Sequence, residues 1–322
     1  MKSGTEFAAL RADPGLQRKA QQGLVSALAD WQAGPRAAPV LAEFSRFAAG
    51  CDLAEAGALA ELFGGDRAEA ARNFIAPLVT AWSTALARQP FGIAPLRHVA
   101  NTASSSLLLA AERDTIFTLV ALDGAAPAAA PAATSASFAS GEVWEVIISG
   151  SGKGRLIERC GETLTQHAID LEPGLSLGRD PNREALLVDR VEGAIVLLRL
   201  QRRGNTNEPR REFALDDGRL LRQASATPVE SRHEVAVALL GKMGRKDAVP
   251  VLAELARDEG HGTSLRWQAL RECLGLDTRT GFCTLSEIAR GEGDPLALPA
   301  GALRAQLLET YPQLAEIDLC RA

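Results

Sequence analysis

The sequence predicts an α+β protein of several domains: N-terminal helices, an antiparallel β-barrel or sandwich in the middle, and C-terminal helical repeats. Its length of 322 residues exceeds that of one ordinary domain, and its 46% hydrophobic residues are typical of folded proteins. The apolar period changes from helical to strand-like near residue 98 and returns to helical near residue 229. Two similar helical segments then begin at Asp247 and Asp277. These observations set the three regions described next.

Residues 1–97 are predicted to be helical. Ala20, Leu24 and Leu28 recur at the i, i+4, i+8 spacing that places them on one helical face. Glycine and proline divide the region into successive helices, and Pro90 ends the last of them.

Residues 98–228 are predicted to form an antiparallel β domain. Short strand patterns follow one another with turn residues, and no helical pattern, between them. Residues 124–140 are rich in Ala, Pro and Ser and are expected to form a flexible loop within this domain. The predicted strands are Ser105–Ala111, Thr115–Leu122, Glu142–Ser149, Gly154–Cys160, Thr163–Leu171, Ala185–Val191, Ala194–Gln201, Glu212–Leu215 and Arg219–Gln223.

Glu192-Gly193 is expected to be a two-residue hairpin turn between two of these strands. Because both faces of the resulting hairpin are apolar, we expect it to lie centrally and to be covered on both sides. One face would hold Leu186, Val188, Ile195, Leu197, Arg190 and Arg199, and the other Leu187, Asp189, Val191, Val196, Leu198 and Leu200.

Asp189 and Arg199 are charges within apolar strands, and a buried charge needs a partner. One interpretation makes them structural ion pairs or strand-end charges. The other makes one of them a ligand group in a barrel pocket. His167, a lone histidine on a strand, is either an ordinary surface or part-buried side chain or a third pocket residue. His167, Asp189 and Arg199 are therefore the candidates for a ligand pocket.

Residues 229–322 are predicted to form helices that resemble HEAT-like repeats. The matching segments are Asp247-Ala-Val-Pro250-Val-Leu252-Ala-Glu-Leu255-Ala and Leu265-Arg266-Trp267-Gln268-Ala269-Leu270. The resemblance implies a protein-interaction surface. Arg266 and Trp267 begin one of the repeat helices and are either helix-packing residues or candidate contacts with a partner. So short an array leaves its end faces open, so we expect them to pack on other parts of the chain or on a second copy.

The β region resembles a cupin-type barrel. The resemblance rests on Gly150-x-Gly152-x-Gly154 before Arg155, on Leu171-Glu-Pro173-Gly174, and on the apolar strand Gly193–Leu200. Metal-binding cupins present two closely spaced histidines, a nearby glutamate and a later histidine. The four histidines of this chain are widely separated, so no metal site and no cofactor are expected.

The sequence also bears on compartment and on other chemistry. Five cysteines without a C-x-x-C pair predict neither a disulfide framework nor a zinc site. The N-terminus lacks the apolar core of a signal peptide, and no apolar stretch is long enough to span a membrane. A cytoplasmic location is expected. The net charge of −5 counts against nucleic-acid binding through the arginines of residues 202–211.

These observations favour a non-enzymatic interaction or ligand-sensing protein with no catalytic residues. A protein partner or self-association is expected, and a small-molecule ligand is possible. One alternative is a cupin-type enzyme in which His98, His167, Asp189 and Arg199 meet in one pocket. Another is a nucleic-acid adaptor.

Overall fold

A computed structural model describes residues 15–64, 67–88, 92–124, 133–161, 163–204, 208–225 and 227–319. They fall into two compact units. The first comprises the described residues up to Ala133 together with Gly141–Arg203, and the second comprises Thr134–Ser140 together with the described residues from Gly204 onward. The boundaries predicted near residues 97 and 228 stay predictions.

Helices and strands alternate by region, as the apolar period predicted. The helices are α1 (Gly15–Ala33), α2 (Ala37–Ala48), α3 (Gly57–Glu61), α4 (Arg67–Arg88), α5 (Pro228–Lys242), α6 (Val249–Arg257), α7 (Thr263–Leu276), α8 (Thr278–Ala289), α9 (Ala297–Thr310) and α10 (Ala315–Leu319). The strands are β1 (His98–Ala100), β2 (Ser104–Glu112), β3 (Thr115–Asp123), β4 (Ser135–Phe138), β5 (Gly141–Cys160), β6 (Thr163–Leu171), β7 (Ser176–Arg179), β8 (Glu184–Arg203), β9 (Arg210–Ala214) and β10 (Leu220–Ala224).

The first unit is built on a seven-stranded antiparallel sheet with the order β1-β2-β3-β8-β5-β6, in which β7 also pairs with β5. Strands β5 and β8 are each 20 residues long and pair with each other along most of their length. Ile147 of β5, Leu171 of β6 and residues from both halves of β8 pack around one interior, so the sheet is rolled over on itself.

The predicted hairpin at Glu192-Gly193 is wrong. Residues on both sides of Gly193 belong to the single strand β8, in which Glu192 pairs with Ser151 and Val196 pairs with Ser149 of β5. A glycine with positive φ can either bend a continuous strand or reverse the chain in a hairpin. The identity of the turn residues alone does not distinguish the two. Gly193 has a φ of +75°, and the register between the strands shifts beside it.

The expected covering of both faces is confirmed for Ile195–Leu200 and is wrong for Val188–Ala194, most of which is exposed. Strand β8 lies centrally, between β3 and β5. Leu186, Ile195 and Leu197 pack into the interior of the roll. On the opposite face, Leu198 and Leu200 are buried in the same core as the N-terminal helices.

Aromatic packing joins the helices to the sheet. The ring of Phe117 on β3 lies 6.3 Å from that of Phe44, 6.4 Å from that of Phe63 and 5.6 Å from that of Phe74. Arg202 of β8 donates to the carbonyl oxygen of Phe47 near the end of α2 at 2.7 Å. Helices and sheet therefore share one core. Helices of this length gain most of their stability from such packing.

The second unit contains a three-stranded antiparallel sheet with the order β10-β9-β4. Strand β4 falls within residues 124–140, which the sequence assigned to a loop; of these, 125–132 lie outside the described residues. Ser135–Phe138 pairs with β9, and the ring of Phe138 lies 5.8 Å from that of Phe213. The apolar contact explains why a short Ser/Ala segment becomes a strand here.

The C-terminal helices pack on one another. Helix α7 contacts α5, α6 and α8, and α8 contacts α9. Asp277 caps α8 by accepting a hydrogen bond from the Thr280 backbone at 2.7 Å. Asp247 does not cap α6: it lies in a 3-10 turn and pairs with Arg245. The HEAT-like character of these helices stays a prediction.

Candidate functional site

The interior of the rolled sheet is almost filled by side chains. The cavity there has a volume of about 10 Å³, which is close to the smallest space that holds one water molecule. Its walls come from the first half of β5, from both halves of β8, and from β3, β6 and β7. The lining residues are Leu122, Glu145, Ile147, Leu171, Leu175, Leu177, Leu186, Val188, Ile195 and Leu197.

Glu145 of β5 is the charged residue in this wall. One of its oxygens accepts from Arg199 Nε at 2.7 Å, and the other pairs with Arg179 Nη2. The side chain of Glu145 is 4% exposed, that of Arg179 10% and that of Arg199 38%. Strand register places Arg199 directly opposite Glu145, while Arg179 reaches it from β7.

Two guanidinium groups thus share one buried carboxylate. Burial alone would raise the pKa of Glu145, but attraction to Arg199 and Arg179 and their hydrogen bonds hold that pKa below its ordinary value of 4.5. Glu145 is therefore ionised at neutral pH and cannot act as a proton donor there. The cluster is suited to holding β5, β7 and β8 together rather than to acid–base chemistry.

The predicted pocket residues do not converge. Arg199 faces the interior of the roll, whereas Asp189 pairs with Arg155 at 2.8 Å on the outward face. His167, on the edge strand β6, is 59% exposed and lies 3.9 Å from Glu158. His98 is exposed on β1. None of the four candidates lines the interior cavity.

The described residues also offer no cluster of three His, Cys, Asp or Glu side chains arranged to hold a metal ion. The cysteines within the described part of the chain, Cys51, Cys160, Cys273 and Cys283, are free thiols. No helix among those described has the length and apolar character needed to cross a bilayer.

Arg266, predicted to contact a partner, lies inside the second unit. It is 2% exposed, pairs with Asp294 through two hydrogen bonds, and donates to the Ala256 carbonyl oxygen at 3.0 Å. Trp267 is partly buried against the same core. Contact with a partner through Arg266 would therefore require its bonds to Asp294 to be broken.

A different surface of this unit is open to solvent. Val235, Leu239 and Met243 follow the i, i+4, i+8 spacing along α5 and its C-cap, and they are 58%, 52% and 65% exposed. We call these three residues the α5 stripe. Val237 points the other way and is 4% exposed. The helix is thus anchored on one side and presents apolar side chains on the other.

Basic residues surround the α5 stripe. Arg232, Lys242, Arg245 and Lys246 are all exposed, and we call them the basic rim. Asp247 is an exposed acid beside them, and it pairs with Arg245 at 2.6 Å.

The two acids of α5, Glu230 and Glu234, are partly buried. Glu230 accepts from the Gly262 backbone at 2.6 Å, and Glu234 has one carboxylate oxygen buried. Both acids therefore lie on the side of the helix that faces the rest of the unit.

Sequence reasoning missed Glu145, although the signal that identified Asp189 and Arg199 was present. Glu145 is a charge between Val143 and Ile147 in an apolar strand, and such a charge requires a buried partner. The α5 stripe was visible as an apolar face. The sequence did not show that this face is exposed, because it does not indicate which helix faces are covered by other elements.

No protein family and no curated protein matches this chain. Solved structures that resemble part of it are cupin-fold proteins. The cupin domain of Drosophila melanogaster CENP-C is 6% identical, with a TM-score of 0.26 over 34% of this chain and 76% of that one. A sugar phosphate isomerase of the cupin superfamily from Silicibacter pomeroyi is 14% identical, with a TM-score of 0.26 over 38% and 78%.

KdgF from a Halomonas species is also 14% identical, with a TM-score of 0.24 over 33% of this chain and 85% of that one. At such TM-scores these similarities assign no activity and no partner to the chain. The antiparallel architecture of the first unit rests on its own strand pairings.

Proposed function

We propose that this chain is a non-enzymatic protein-interaction protein that docks a protein partner through the α5 stripe. The observation that carries the proposal is the exposure of Val235, Leu239 and Met243 on one face of an anchored helix. Full burial of one such side chain contributes about 1.5–3 kcal/mol, so three of them can supply the centre of an interface.

The rolled sheet supports a scaffolding role better than a ligand-sensing one. Its interior has room for about one water, and helices cover its opposite face around Phe117, Ile148 and Leu198. An enzyme of the cupin type gains little support, because Asp189 and Arg199 face opposite sides of the sheet. Cytoplasmic location and the absence of a cofactor remain part of the proposal.

Photo-crosslinking in living cells tests the docking face. A photoreactive amino acid replaces Leu239 in the full chain, and the matched control replaces Val251, which is 64% exposed on α6. We expect a discrete adduct from position 239 alone, lost when Val235→Asp is added. The partner identified from the adduct is then purified by itself. It should bind the wild-type chain but not the Leu239→Asp variant. Identical patterns from positions 239 and 251, or no adduct from 239, would overturn the proposal.

A further inference from the structure

We infer that a cleft between α1, α4 and the turn after α1 binds a small zwitterion with an apolar body, such as an α-amino acid with a large apolar side chain. This inference goes beyond the proposed docking function, because the cleft lies in the first unit and the α5 stripe in the second. The cleft has a volume of about 420 Å³. Small-molecule sites usually measure about 300–1,000 Å³.

Two helices supply the walls of this cleft, each through residues that share one helical face. Ala27, Asp30 and Trp31 lie at i, i+3 and i+4 on α1. Phe74 and Ala81 lie at i and i+7 on α4, so they too face the same way. The turn between α1 and α2 completes the lining.

The aromatic part of the lining is held in place before any ligand arrives. Trp31 Nε1 donates to the backbone carbonyl oxygen of Phe74 at 2.9 Å, and the two rings lie 5.2 Å apart. Both side chains belong to the core of the first unit, yet both also line the cleft. An apolar group of a ligand placed against them would lose its contact with water while these rings stay where they are.

The charged residues of the lining are Asp30 and Arg36. Both are exposed, and within the described part of the chain neither side chain has a hydrogen-bond or ion-pair partner. The carboxylate of Asp30 is therefore available to an ammonium group, and the guanidinium group of Arg36 to a carboxylate. A zwitterion pairs with both residues, whereas an ion of one sign is attracted by one of them and repelled by the other.

Four probes that differ in charge test this inference. L-Phenylalanine is a zwitterion, N-acetyl-L-phenylalanine an anion and L-phenylalaninamide a cation. N-acetyl-L-phenylalaninamide is neutral and resembles a residue inside a peptide. The full chain is labelled with 5-fluorotryptophan, and single tryptophan-to-phenylalanine variants assign its four ¹⁹F signals. The signal of Trp31 reports on the cleft, and that of Trp267, in the second unit, is the internal control.

We expect L-phenylalanine to shift the Trp31 signal saturably, with a dissociation constant at or below about 1 mM, and to leave the Trp267 signal unchanged. Each singly charged probe should bind about three- to fivefold more weakly, because one exposed charge pair is lost. The neutral probe should bind about tenfold more weakly, since it loses both pairs. L-Alanine keeps both charges but lacks the ring, so it should bind at least about tenfold more weakly.

Variants of the two charged residues match each probe charge to one side chain. Asp30→Asn should weaken L-phenylalanine binding about three- to fivefold, but it should not weaken binding of the N-acetyl anion, which has no ammonium group. Arg36→Gln should weaken L-phenylalanine equally and should not weaken binding of the amide cation. Glu61→Gln and Arg18→Gln are the matched controls and should change nothing, because neither residue lines the cleft. All four positions are exposed, so folding should be unaffected.

The contrary results are distinct. Equal affinity for the zwitterion and the neutral probe would overturn the zwitterion and indicate a peptide segment as the occupant. Tightest binding of the anion or the cation would show that only one of the two charges recognises the ligand, which also overturns it. A Trp31 signal that no probe moves at about 10 mM, or a shift that neither variant weakens, would show that the cleft does not bind this class of ligand. The docking face of α5 is tested separately by crosslinking.

Discussion

Glu145 is the residue on which the interior of the first unit depends most directly. Its single carboxylate pairs with both Arg179 and Arg199 while almost fully buried itself. Removing one member of a buried charge cluster leaves the other charges unpaired. This destabilises the fold more than replacing the whole cluster by apolar residues would. The cluster therefore makes a clear prediction for stability.

Glu145→Gln should lower the free energy of unfolding of the first unit by about 3 kcal/mol, because it strands two guanidinium groups. Asp189→Asn is the matched control: it makes the same acid-to-amide change in a pair that is partly exposed, and it should cost no more than about 1 kcal/mol. Urea unfolding in a Trp267→Phe background measures both, since the remaining tryptophans, Trp31, Trp82 and Trp144, all lie in the first unit. Equal losses from the two changes would contradict the assignment.

The same cluster fixes a pH dependence. The pKa of Glu145 is lower in the folded chain than its ordinary value of 4.5. Its contribution is therefore fully present above pH 4.5 and is lost as the pH falls through the folded value. The stability gap between wild type and Glu145→Gln should be constant at neutral pH and should narrow on acidification below 4.5. A stability gap that widened on acidification would contradict the lowered pKa of Glu145.

Strands β5 and β8 show how far the sequence determines an element. It places β6 at Thr163–Leu171, where the structure has it, and it identifies both halves of β5 and β8. The sequence-based prediction divides each of these long strands in two, because glycine is typical both of a bend within a strand and of a turn that reverses the chain. It omits β1 and β7, which are three and four residues long and too short to show a period.

The two bend glycines should respond differently to substitution. Gly150 and Gly193 both have positive φ, but a Cβ at Gly150 would lie 1.9 Å from the Ala194 carbonyl oxygen, whereas nothing lies within 4 Å of one at Gly193. Gly193→Ala should cost about 1–2 kcal/mol from backbone strain alone. Gly150→Ala should cost at least twice as much, because the backbones of β5 and β8 must separate. Urea unfolding of the two variants measures the difference, and equal costs would show that β5 does not approach β8 closely at the bend.

Across the molecule, the sequence predicted the order of helical and strand regions but not how the chain is shared between compact units. Periodicity describes local burial and carries no information about which distant segment pairs with which. Strand β4 illustrates this. It lies between β3 and β5 in sequence, yet it joins β9 and β10 in the second unit.

A fragment comprising residues 204–322 should therefore be incomplete. It lacks β4, so Phe213 loses its contact with Phe138, which is 2% exposed in the full chain. Losing a buried phenylalanine costs about 3–5 kcal/mol. We expect thermal melts by circular dichroism to place this fragment at least about 10 °C below one to which residues 133–141 are appended by a flexible linker. Coincident melts would show that the second unit does not need β4.

The position of β4 in the chain also orders events during synthesis. The ribosome releases this strand before β5 to β8, and its partner β9 emerges only after all of them. Until then Ala136 and Phe138 lack the β9 residues with which they pair in the folded chain. The second unit can therefore complete its folding only after the first has been translated. A translational pause before β9 would prolong the interval in which β4 is exposed to chaperones or to mispairing.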